Sequence, residues 1–498
     1  MVMANSATTD TRPFDPASEL SENVRSKFFI DGAWRAPASQ DRFQLISPVT
    51  EEPTLSVPAG APQDMEAAIA AARRAFDQGQ WPRLPVAERA RHLRRIAAEI
   101  EKRQELFQRV WIGQVGAPRW FVGAIAGAAP QHFKYYADLA ETYPFEESRA
   151  AAMGALKVLR EPVGVAALII PWNAPLVLLT QKLAAGLLAG CTMVIKPSPE
   201  TPLDALLLAE CVEAADVPAG VVNVVPAGRE VGNGLISDPR IDKVSFTGST
   251  DAGRHIARVC ADRLARVSLE LGGKSASILC EDADIEQWMA SLAPFTMPFS
   301  GQICFAQTRI LVPRSRHDEF LDAYVAGVES LKIGDPWYPE TQIGPVSMAR
   351  QRDRVLDYIR VGQREGARVA TGGGPAAGFD RGYFIAPTIF DRVTNDMRIA
   401  REEIFGPVVS VIGYADDDEA VAIANDSDFG LSGSVFSKDV ARAEAIARRI
   451  RTGHISVNGF NLDVGAPFGG FKQSGLGRES GPEGLAGFLE TKSMFLPG

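Results

Sequence analysis

The feature that most constrains this chain is the regular alternation, from about residue 163 onward, of short apolar runs with helical stretches. Such alternation predicts parallel βαβ units, in which each strand is buried on both faces and right-handed crossovers place helices above and below the sheet. Helical patterns occupy 203–215 and 251–264 between the runs VGVAALII (163–170), TMVIK (192–196), VVNVV (221–225), KVSFTG (243–248) and VSLELGG (267–273). The sequence therefore predicts a doubly wound, Rossmann-like first sheet.

A second series of the same kind begins near Ser275. Its helical patterns lie at 315–331 and 439–450, and its apolar runs are ASILC (276–280), RILVP (309–313), VVSVI (408–412), GSVFS (433–437) and HISVNG (454–459). We expect an α/β fold with two doubly wound parallel-sheet domains that meet at a short crossover near 271–274 and share a cleft. Upstream, helices are predicted at 65–76 and 86–107, while 146–158 and 493–498 fit neither series and are predicted to be edge strands through which subunits pair.

Composition narrows the function classes. The 498 residues suggest about three domain-sized units. A net charge of −9 without a basic run argues against a nucleic-acid partner. The longest apolar runs reach about half the roughly 20 residues that a membrane helix needs, so no membrane span is expected. The first twenty residues lack a basic start and an apolar core, so we predict a flexible polar leader and a cytoplasmic protein.

The cysteines and histidines argue against metal and disulfide chemistry. The five cysteines include no CxxC pair, and the five histidines are scattered singly. We therefore expect reduced thiols and no protein-built metal site.

Three polar residues at the ends of predicted strands or in glycine-bearing segments could carry chemistry. Cys304, in GQICFAQTR, is either a buried structural cysteine or a nucleophile, and a nucleophile needs a lowered pKa or a partner base. Glu270, in SLELGGK, is either a solvated strand-end carboxylate or a general base with a raised pKa. Asn173, in IIPWNAP, is either a turn residue or an amide donor to an oxyanion.

Other segments suit a dinucleotide. FTGSTDAG (246–253) combines a strand, a glycine turn and a helix start, where backbone N–H groups bind a pyrophosphate. Its spacing is neither GxGxxG nor that of a P-loop, which argues against ATP. Lys196 ends another strand, where its ammonium can donate to ribose hydroxyls. EEIFGPV (402–408) and PFGGFKQSGLGRE (467–479) are either cleft walls or ordinary loop packing.

Taken together and in this order, PWN, FTGST, LELGGK, GQxC, EEIFGPV and PFGGxKxSGxGRE resemble the aldehyde dehydrogenase superfamily, specifically its non-phosphorylating, hydrolytic branch. The resemblance covers the chain from about residue 28 to its end, and the separation of 34 residues between Glu270 and Cys304 matches that family. It implies an NAD(P)-dependent enzyme that oxidises an aldehyde to a carboxylic acid.

The resemblance also implies residue roles. Cys304 would attack the aldehyde carbon, Asn173 and the Cys304 N–H would hold the oxyanion, and Glu270 would activate the water that hydrolyses the resulting thioester. Lys182 and Glu479 match positions that pass the proton outward. The implied cofactor-binding residues are Ile169, Pro171, Trp172, Lys196, Ser198, Gly228, Gly232, Phe246, Thr247, Gly248, Ser249, Leu271, Gly272, Glu403 and Phe405.

Two departures from the family pattern affect specificity. Pro199 stands where relatives often have a glutamate that favours NAD, and Glu200 follows it, so NAD is the expected cofactor and NADP stays an alternative. Small or polar residues, Ala174 and Gln181, stand where relatives that select small aldehydes place bulky aromatics. We expect a medium or bulky apolar aldehyde in a pocket lined by Ala174, Leu178, Gln181, Ile303, Phe305 and Phe468.

The resemblance further implies a dinucleotide-binding domain at 1–142 and 162–272, a catalytic domain at 273–486, and a small β oligomerisation hairpin at 143–161 and 487–498. The assembly is expected to be a homodimer or homotetramer. Two rival interpretations are a CoA-acylating relative, which typically lacks the carboxylate base, and a non-catalytic protein that keeps only the fold.

Overall fold

The computed structural model of the chain describes residues 11–497. In chain order its strands are β1 Phe28–Ile30, β2 Ala33–Arg35, β3 Arg42–Ile46, β4 Pro53–Pro58, β5 Glu146–Arg149, β6 Ala155–Pro162, β7 Val165–Ile169, β8 Thr192–Lys196, β9 Val222–Val224, β10 Lys243–Thr247, β11 Arg266–Glu270, β12 Ala276–Leu279, β13 Arg309–Pro313, β14 Arg368–Thr371, β15 Thr388–Asp391, β16 Val408–Tyr414, β17 Phe429–Gly430, β18 Gly433–Phe436, β19 Ser456–Val457, β20 Phe471–Lys472, β21 Gly475–Leu476 and β22 Leu489–Leu496.

The α-helices of the described residues are α1 Pro16–Glu19, α2 Glu22–Ser26, α3 Pro62–Asp77, α4 Val86–Lys102, α5 Gln104–Val115, α6 Arg119–Ile125, α7 Ala128–Leu139, α8 Pro175–Ala189, α9 Leu203–Ala214, α10 Arg229–Ser237, α11 Thr250–Asp262, α12 Ile285–Ser291, α13 His317–Glu329, α14 Ala349–Arg364, α15 Arg398–Arg401, α16 Asp417–Asn425, α17 Val440–Ala447 and α18 Gly481–Ala486. Short 3-10 turns lie at Trp81–Arg83, Ala293–Phe295 and Arg314–Arg316. No helix within residues 11–497 is long and apolar enough to span a bilayer.

The first sheet has the order β2-β1-β9-β8-β7-β10-β11-β21, and its five central strands are parallel. These five are the strands predicted from the first apolar series, and most of their residues are buried. The edges differ from the all-parallel prediction, because β1 and β21 pair antiparallel with β9 and β11. Edge strands need no crossover helix, so short return segments from distant parts of the chain can close the sheet there.

The second sheet has the order β14-β15-β16-β13-β12-β18-β19. The five strands predicted from the second series all belong to it and pair in parallel. Strands β14 and β15 were not predicted, and β14 pairs antiparallel with β15 at the sheet edge. The α/β fold class with two doubly wound, mainly parallel sheets is therefore confirmed.

Two sequence predictions in the N-terminal region were wrong. The helix expected at 86–107 is interrupted at Arg103, whose φ of −109° and ψ of 13° are not helical, and α5 begins at the next residue. Beyond the break, Phe107 and Val110 of α5 pack in the same hydrophobic core as Ile96 and Ile100 of α4. The predicted flexible leader is ordered from residue 11, where Phe14 packs against Gly113. Residues 1–10 of that leader lie outside the described residues.

The two predicted edge segments meet in one three-stranded sheet of order β22-β6-β5. β22 pairs antiparallel with β6 over eight residues, from Leu489 opposite Pro162 to Leu496 opposite Ala155. The segment expected as one edge strand at 146–158 instead forms the hairpin of β5 and β6, and the C-terminal segment adds a third strand that begins at Leu489 rather than at Ser493. Gly498 lies outside the described residues.

Candidate active site

The site forms at the carboxyl ends of the parallel strands of the first sheet, as the sequence predicts. Asn173 and Ser249 lie just after β7 and β10, and Lys196 and Glu270 are the last residues of β8 and β11. Because parallel strands end at the same edge, the register that pairs Thr247 with Glu270 and Ile169 with Phe246 brings these segments together.

Glycines after Glu270 bring the second sheet's loops against it. A Cβ on Gly272 would lie 2.5 Å from the carboxylate of Glu403, and a Cβ on Gly273 would lie 2.4 Å from the carbonyl oxygen of Cys304. The Gly273 N–H also donates to Glu403 Oε1 at 2.9 Å. Only glycine permits both approaches, so the Cys304 backbone and the Glu403 carboxylate lie against the Gly-Gly pair that begins two residues after Glu270.

The loop that carries Cys304 is held in an uncommon conformation. Phe299, Ser300 and Gly301 have successive φ values of 48°, 54° and 74°. A Cβ on Gly301 would lie 1.9 Å from the carbonyl oxygen of Gly406, so this glycine is required where the loop meets the EEIFGPV segment. Ser300 Oγ fixes the loop further by donating to the Gly344 carbonyl at 2.7 Å. Backbone strain of this kind is common at functional sites.

Asn173 and Gln302 link the first sheet to that loop. The Asn173 amide donates to the Gln302 carbonyl at 3.0 Å, and the Asn173 carbonyl accepts from the Trp111 indole at 2.9 Å. Gln302 is fully buried, and its side-chain oxygen accepts from the Ser347 N–H at 2.9 Å. Asn173 is therefore fixed two residues from Cys304 with one amide hydrogen left to donate.

The electrostatics of Cys304 differ from the lowered thiol pKa that sequence reasoning considered. Burial raises the pKa of this partly buried thiol well above its ordinary value, and the carboxylates of Glu403 and Glu270 raise it further. The backbone N–H groups of Phe305 and Cys304 act in the opposite direction. Burial and the two carboxylates thus favour the thiol form of Cys304 over the thiolate.

Glu270 is buried, and neither of its carboxylate oxygens has a hydrogen-bond partner among the described residues. Burial raises its pKa well above the ordinary 4.5, and the charge of Glu479 adds to this, whereas Lys182 and Arg478 oppose it. An unpartnered buried carboxyl group is costly to keep and is typical of a group that exchanges protons.

Lys182 and Glu479 form a buried ion pair beside this carboxyl group. Ser245 Oγ, on β10, donates to the same Glu479 oxygen at 3.4 Å, while Glu479 Oε2 has no partner in the described chain. Gln181, predicted to line the substrate pocket, donates its amide to Ser480 Oγ at 2.9 Å. Its neighbour Thr180 forms a hydrogen bond with His132.

Several predicted cofactor residues surround one groove at the sheet edge. The buried Lys196 ammonium donates to the Pro197 carbonyl at 3.2 Å, and burial lowers its pKa to about 8. Gly232 lies against the Lys196 side chain, and Gly228 opens onto free space. Ser198 donates to Glu200, whose carboxylate also accepts from Arg350 at 2.5 Å. Glu200 thus reaches the neighbourhood of Lys196 despite its displacement by Pro199.

The turn after β10 offers donors to an anion. Ser249 is the N-cap of the 13-residue helix α11, and its hydroxyl accepts from the Ala252 N–H at 3.4 Å. Thr247 Oγ1 is buried without a partner among residues 11–497. Gly248 leaves room for the Phe246 ring, 2.4 Å from where a Cβ would lie. An orphaned hydroxyl beside an open helix N-terminus fits the phosphates of a dinucleotide.

Glu403 and Phe405 form the opposite wall. Burial raises the pKa of Glu403 to about 7. The Phe405 ring meets the Trp172 ring edge-on, with centroids 5.5 Å apart. A small cleft is lined here by Gly273, Gly301, Ile303, Glu403 and Phe405 among others. Of the remaining predicted cofactor residues, Ile169 ends β7, Pro171 follows that strand and Leu271 follows β11.

Predicted pocket residues Ala174, Leu178, Ile303 and Phe305 share one apolar cluster, which also contains Trp172 and Phe299. Phe468 lies apart from that cluster, and its N–H donates to the Glu479 carbonyl at 2.6 Å. Sequence reasoning missed Phe460, whose ring lies 5.1 Å from Phe305 and extends the apolar wall. It belongs to an irregular loop with no periodic signal.

Sequence reasoning also missed Gln302, Ser245 and Gly301 as supports of the site. The GQxC motif points only to its cysteine. Nothing in the motif shows that its glutamine binds Ser347 or that its glycine lies against Gly406. Ser245 lies within the apolar strand KVSFT, where alternation gives it no distinct signal.

Comparisons with known proteins agree with this geometry. A profile of the aldehyde dehydrogenase family matches residues 34–494. The geranial dehydrogenase of Castellaniella defragrans is 46% identical over 472 residues, which cover 94% of this chain and 98% of that relative. The crystal structure of a Mycobacterium tuberculosis aldehyde dehydrogenase complexed with NAD+ superposes with a TM-score of 0.93 at 44% identity, covering 95% of this chain and 98% of that one. A Pseudomonas syringae aldehyde dehydrogenase mutant complexed with NAD+ and octanal gives 0.92 at 39% identity, covering 98% and 99%.

Proposed function

Because this chain belongs to the aldehyde dehydrogenase family, we propose that it oxidises a medium-sized or bulky apolar aldehyde with NAD+ through a thioester on Cys304. As a member of that family it is an NAD(P)-dependent oxidoreductase. The observation that carries the proposed mechanism is the approach of the Cys304 backbone and the Glu403 carboxylate to Gly272 and Gly273, which begin two residues after Glu270.

The first step is addition of the Cys304 sulfur to the aldehyde carbon. A sulfur–carbon bond forms, the carbonyl oxygen becomes an oxyanion, and the thiol proton passes to water, since Cys304 is only partly buried. The free amide hydrogen of Asn173 and the backbone N–H of Cys304 hold that oxyanion; donors of this type contribute about 3 to 4 kcal/mol in other enzymes. The support for this step is that Asn173 is fixed to Gln302 by the bond at 3.0 Å.

Bound NAD+ supplies a hydride acceptor, and loss of hydride from the substrate carbon leaves a thioester on Cys304. Glu270 then takes a proton from water while the water oxygen attacks the thioester carbon and the carbon–sulfur bond breaks. The net reaction converts aldehyde, water and NAD+ into carboxylate, NADH and two protons. Lys182 and Glu479 would lead those protons away from Glu270, since the ion pair lies beside it.

The residues present fit NAD+. Ser249 and the N-terminus of α11 would hold the pyrophosphate, Lys196 the adenosine ribose, and Glu403 the nicotinamide ribose. The Glu200 carboxylate lies beside Ser198 and faces Lys196, so it would accept from the ribose diol and repel a 2′-phosphate. This favours NAD over NADP in spite of Pro199.

The apolar cluster of Ala174, Leu178, Ile303 and Phe305, continued by Phe460, supports an apolar substrate. Relatives named for geranial and complexed with octanal make these two aldehydes suitable probes. We expect kcat/KM for octanal and geranial to exceed that for acetaldehyde by tenfold or more, because each buried CH₂ contributes about 0.8 kcal/mol. Equal values for all three aldehydes would contradict an apolar tunnel.

The decisive test of the reaction class is Cys304→Ala, assayed for aldehyde-dependent NADH formation. We expect loss of turnover by at least a thousandfold, since no acyl carrier remains. The matched control is Cys211→Ala, which removes a buried cysteine of α9 and should keep activity. Undiminished turnover of Cys304→Ala would refute the assignment. Turnover of the wild type only when CoA is added would favour the acylating alternative.

We also propose the domain division given by the sequence, with cofactor binding at 1–142 and 162–272, catalysis at 273–486 and oligomerisation at 143–161 and 487–498. The three-stranded sheet of β5, β6 and β22 supports the last of these, because it stands outside both large sheets. A cytoplasmic homotetramer is the expected state of the enzyme.

A further inference from the structure

A tryptophan that the proposed mechanism does not use is bonded to the backbone of Asn173. Trp111 lies on α5 and is 1% exposed. Its indole N–H donates to the Asn173 carbonyl at 2.9 Å and so joins α5 to the segment after β7. A buried carbonyl that loses its donor is costly. The bond therefore fixes the residue whose side-chain amide holds the oxyanion in the proposed first step.

The Trp111 ring also begins a row of three buried aromatic side chains. It meets the Phe121 ring, on α6, edge-on with centroids 5.8 Å apart. The Phe121 ring stacks in turn on the Phe299 ring, with centroids 5.9 Å apart and an interplanar angle of 24°. All three residues are at most 1% exposed. Edge-on and stacked arrangements are the favourable ones for aromatic rings, so Trp111, Phe121 and Phe299 form a rigid aromatic row.

The far end of the aromatic row lies in the loop that carries Cys304. Phe299 has a φ of 48°, which is unfavourable for a bulky side chain and persists only where packing holds it. Burial of its ring against Phe121 supplies such packing. The Phe299 carbonyl accepts from the Gln302 side-chain amide at 3.2 Å, and the Gln302 carbonyl accepts from the Asn173 amide at 3.0 Å.

The hydrogen bonds and the ring contacts together form a closed circuit. One route leads from Asn173 through Gln302 to the Phe299 backbone. The other leads from Asn173 through the aromatic row to the Phe299 ring. Both routes join the oxyanion-holding amide to the Cys304 loop. A displacement of about 1 Å between reacting groups can cost on the order of 100-fold in rate, so a rigid link between these two points bears on catalysis.

We propose that Trp111 is a positioning residue for the side-chain amide of Asn173, and that the aromatic row keeps this amide in a fixed place relative to the Cys304 loop. This inference rests on the proposed thioester mechanism. Trp111 acts in it only through Asn173, because the indole holds the carbonyl while the side chain of the same residue binds the oxyanion. No bond to Trp111 forms or breaks in the reaction.

The first test is Trp111→Phe in the full-length enzyme, which removes the N–H and keeps an aromatic ring beside Phe121. The observable is the first-turnover rate of NADH formation with saturating octanal and NAD+. We expect this rate to fall tenfold or more. The Kd for NAD+ should stay within twofold of the wild-type value, because the hydrogen bond and the ring contact of Trp111 lead to Asn173 and Phe121. A wild-type rate in Trp111→Phe would overturn the inference.

The matched control is Trp120→Phe. The Trp120 indole donates to the Gln342 carbonyl at 2.9 Å, and its ring meets Phe121 edge-on with centroids 5.8 Å apart. It therefore has the same kind of hydrogen bond and the same aromatic neighbour as Trp111, but its hydrogen bond leads away from Asn173. The control should keep the wild-type rate. Equal losses in the two variants would mean that both indoles only support the fold, and the inference would be overturned.

A double-mutant cycle separates positioning from a general structural role. Asn173→Ala removes the amide through which Trp111 is proposed to act. Adding Trp111→Phe to that variant should therefore lower the first-turnover rate by less than a further twofold. A tenfold loss in both backgrounds would show that the indole does not act through Asn173, which contradicts the proposal.

A second replacement keeps the test informative if Trp111→Phe does not fold. Benzothienylalanine at position 111 keeps the bicyclic ring and has sulfur in place of the N–H, so it removes the hydrogen bond and retains the shape. This replacement should reproduce the loss of rate. An unchanged rate would show that the indole serves only as packing, and the inference would fail.

Failure of the proposed function has a different signature. If the wild type forms neither aldehyde-dependent NADH nor an acyl group on Cys304, the thioester mechanism fails and the inference fails with it. If the wild type forms both while the losses in the cycle are additive, only the positioning role of Trp111 is wrong.

Discussion

At the scale of single residues, the site holds two acids whose surroundings favour their neutral forms. Burial raises the pKa of both Cys304 and Glu270. Desolvation is the largest cause of each shift; Glu479 adds like charge to Glu270, and Lys182 and Arg478 oppose that shift. Both groups therefore release a proton less readily than they would in water.

The raised pKa of Glu270 has a consequence for stability. A carboxyl group that binds its proton more tightly in the folded state stabilises the fold fully below its unfolded pKa, and this contribution is lost as pH rises through the folded pKa. The glutamine of Glu270→Gln does not ionise, so the variant should not lose this stability as the pH rises. We expect the variant to be more stable than wild type by about 1 to 3 kcal/mol at neutral to alkaline pH, with the difference shrinking toward pH 4.

Thermal unfolding of the wild type and of Glu270→Gln from pH 5 to pH 9 measures this difference in stability. The control is Glu479→Gln, which leaves the buried Lys182 without its carboxylate and should destabilise the protein at the same pH values. A Glu270→Gln variant that is less stable than wild type at pH 8 would show that the carboxylate is well solvated in the fold.

Cofactor choice is also argued at the residue scale. Glu200 accepts from Ser198 and from Arg350, and its charge acts on Lys196. Glu200→Gln removes the repulsion toward a 2′-phosphate and leaves Arg350 free to bind it. We expect the ratio of kcat/KM for NAD+ to that for NADP+ to fall by tenfold or more, read from steady-state rates with octanal. An unchanged ratio would place cofactor discrimination elsewhere.

At the scale of elements, the loop before Cys304 is the most constrained part of the site. Gly301→Ala adds a Cβ at a φ of +74° and 1.9 Å from the Gly406 carbonyl. Strain and steric displacement together should cost roughly 3 kcal/mol or more and move Cys304, so activity should fall by at least a hundredfold.

The matched control for that prediction is Gly366→Ala. Gly366 has a φ of +92° but nothing within 4 Å of its ideal Cβ, so it tests backbone strain alone. It should cost about 1 kcal/mol in unfolding free energy and leave kcat unchanged. Equal activity losses in both variants would argue that the close contact with Gly406 is unimportant.

Most elements could be predicted from local pattern, and the exceptions have physical causes. The buried parallel strands are continuous apolar runs in the sequence, and ten of these strands were predicted at the positions where they occur. The helix break at Arg103 could not be predicted, because the residues on either side keep helical apolar spacing and only the tertiary core selects the turn. The edge strands β14 and β21 are short and partly exposed, so they show no clear apolar pattern, and the buried strand β15 beside β14 was also missed.

At the scale of the whole molecule, the three-stranded sheet leaves apolar side chains in solvent. Phe495 on β22 is 70% exposed, and Met153 between β5 and β6 is 86% exposed. Both edges of this sheet are open, which is typical of a surface that pairs with another copy. Phe495→Glu should lower the assembly mass measured by light scattering toward that of a monomer or dimer.

The control for this prediction is Val440→Glu, a charge placed at an exposed position of α17 in the second sheet's layer. Its assembly mass should match wild type. An unaltered mass for Phe495→Glu would mean that subunits associate through another surface.

Sequence motifs predict single residues of the site, but they do not predict the contacts between distant segments. Cys304, Glu270, Asn173 and Glu403 were named from motifs, whereas the contacts that bring them together, such as Gly301 against Gly406, join segments about a hundred residues apart. Likewise, the Gln181 amide bonds Ser480, a partner 299 residues away that no motif around Gln181 predicts. Strand order, which decides such neighbours, is set by the whole fold and leaves no local trace.

The proposed mechanism requires a covalent acyl group on Cys304, which water hydrolyses with Glu270 as the base. The most direct measurement is intact mass and peptide mapping of Glu270→Gln, mixed with octanal and NAD+ and quenched within one turnover. We predict a burst of one NADH per active subunit together with the mass of one octanoyl group on the peptide that contains Cys304. A burst without that added mass, or an acyl group on any other residue, would contradict the account.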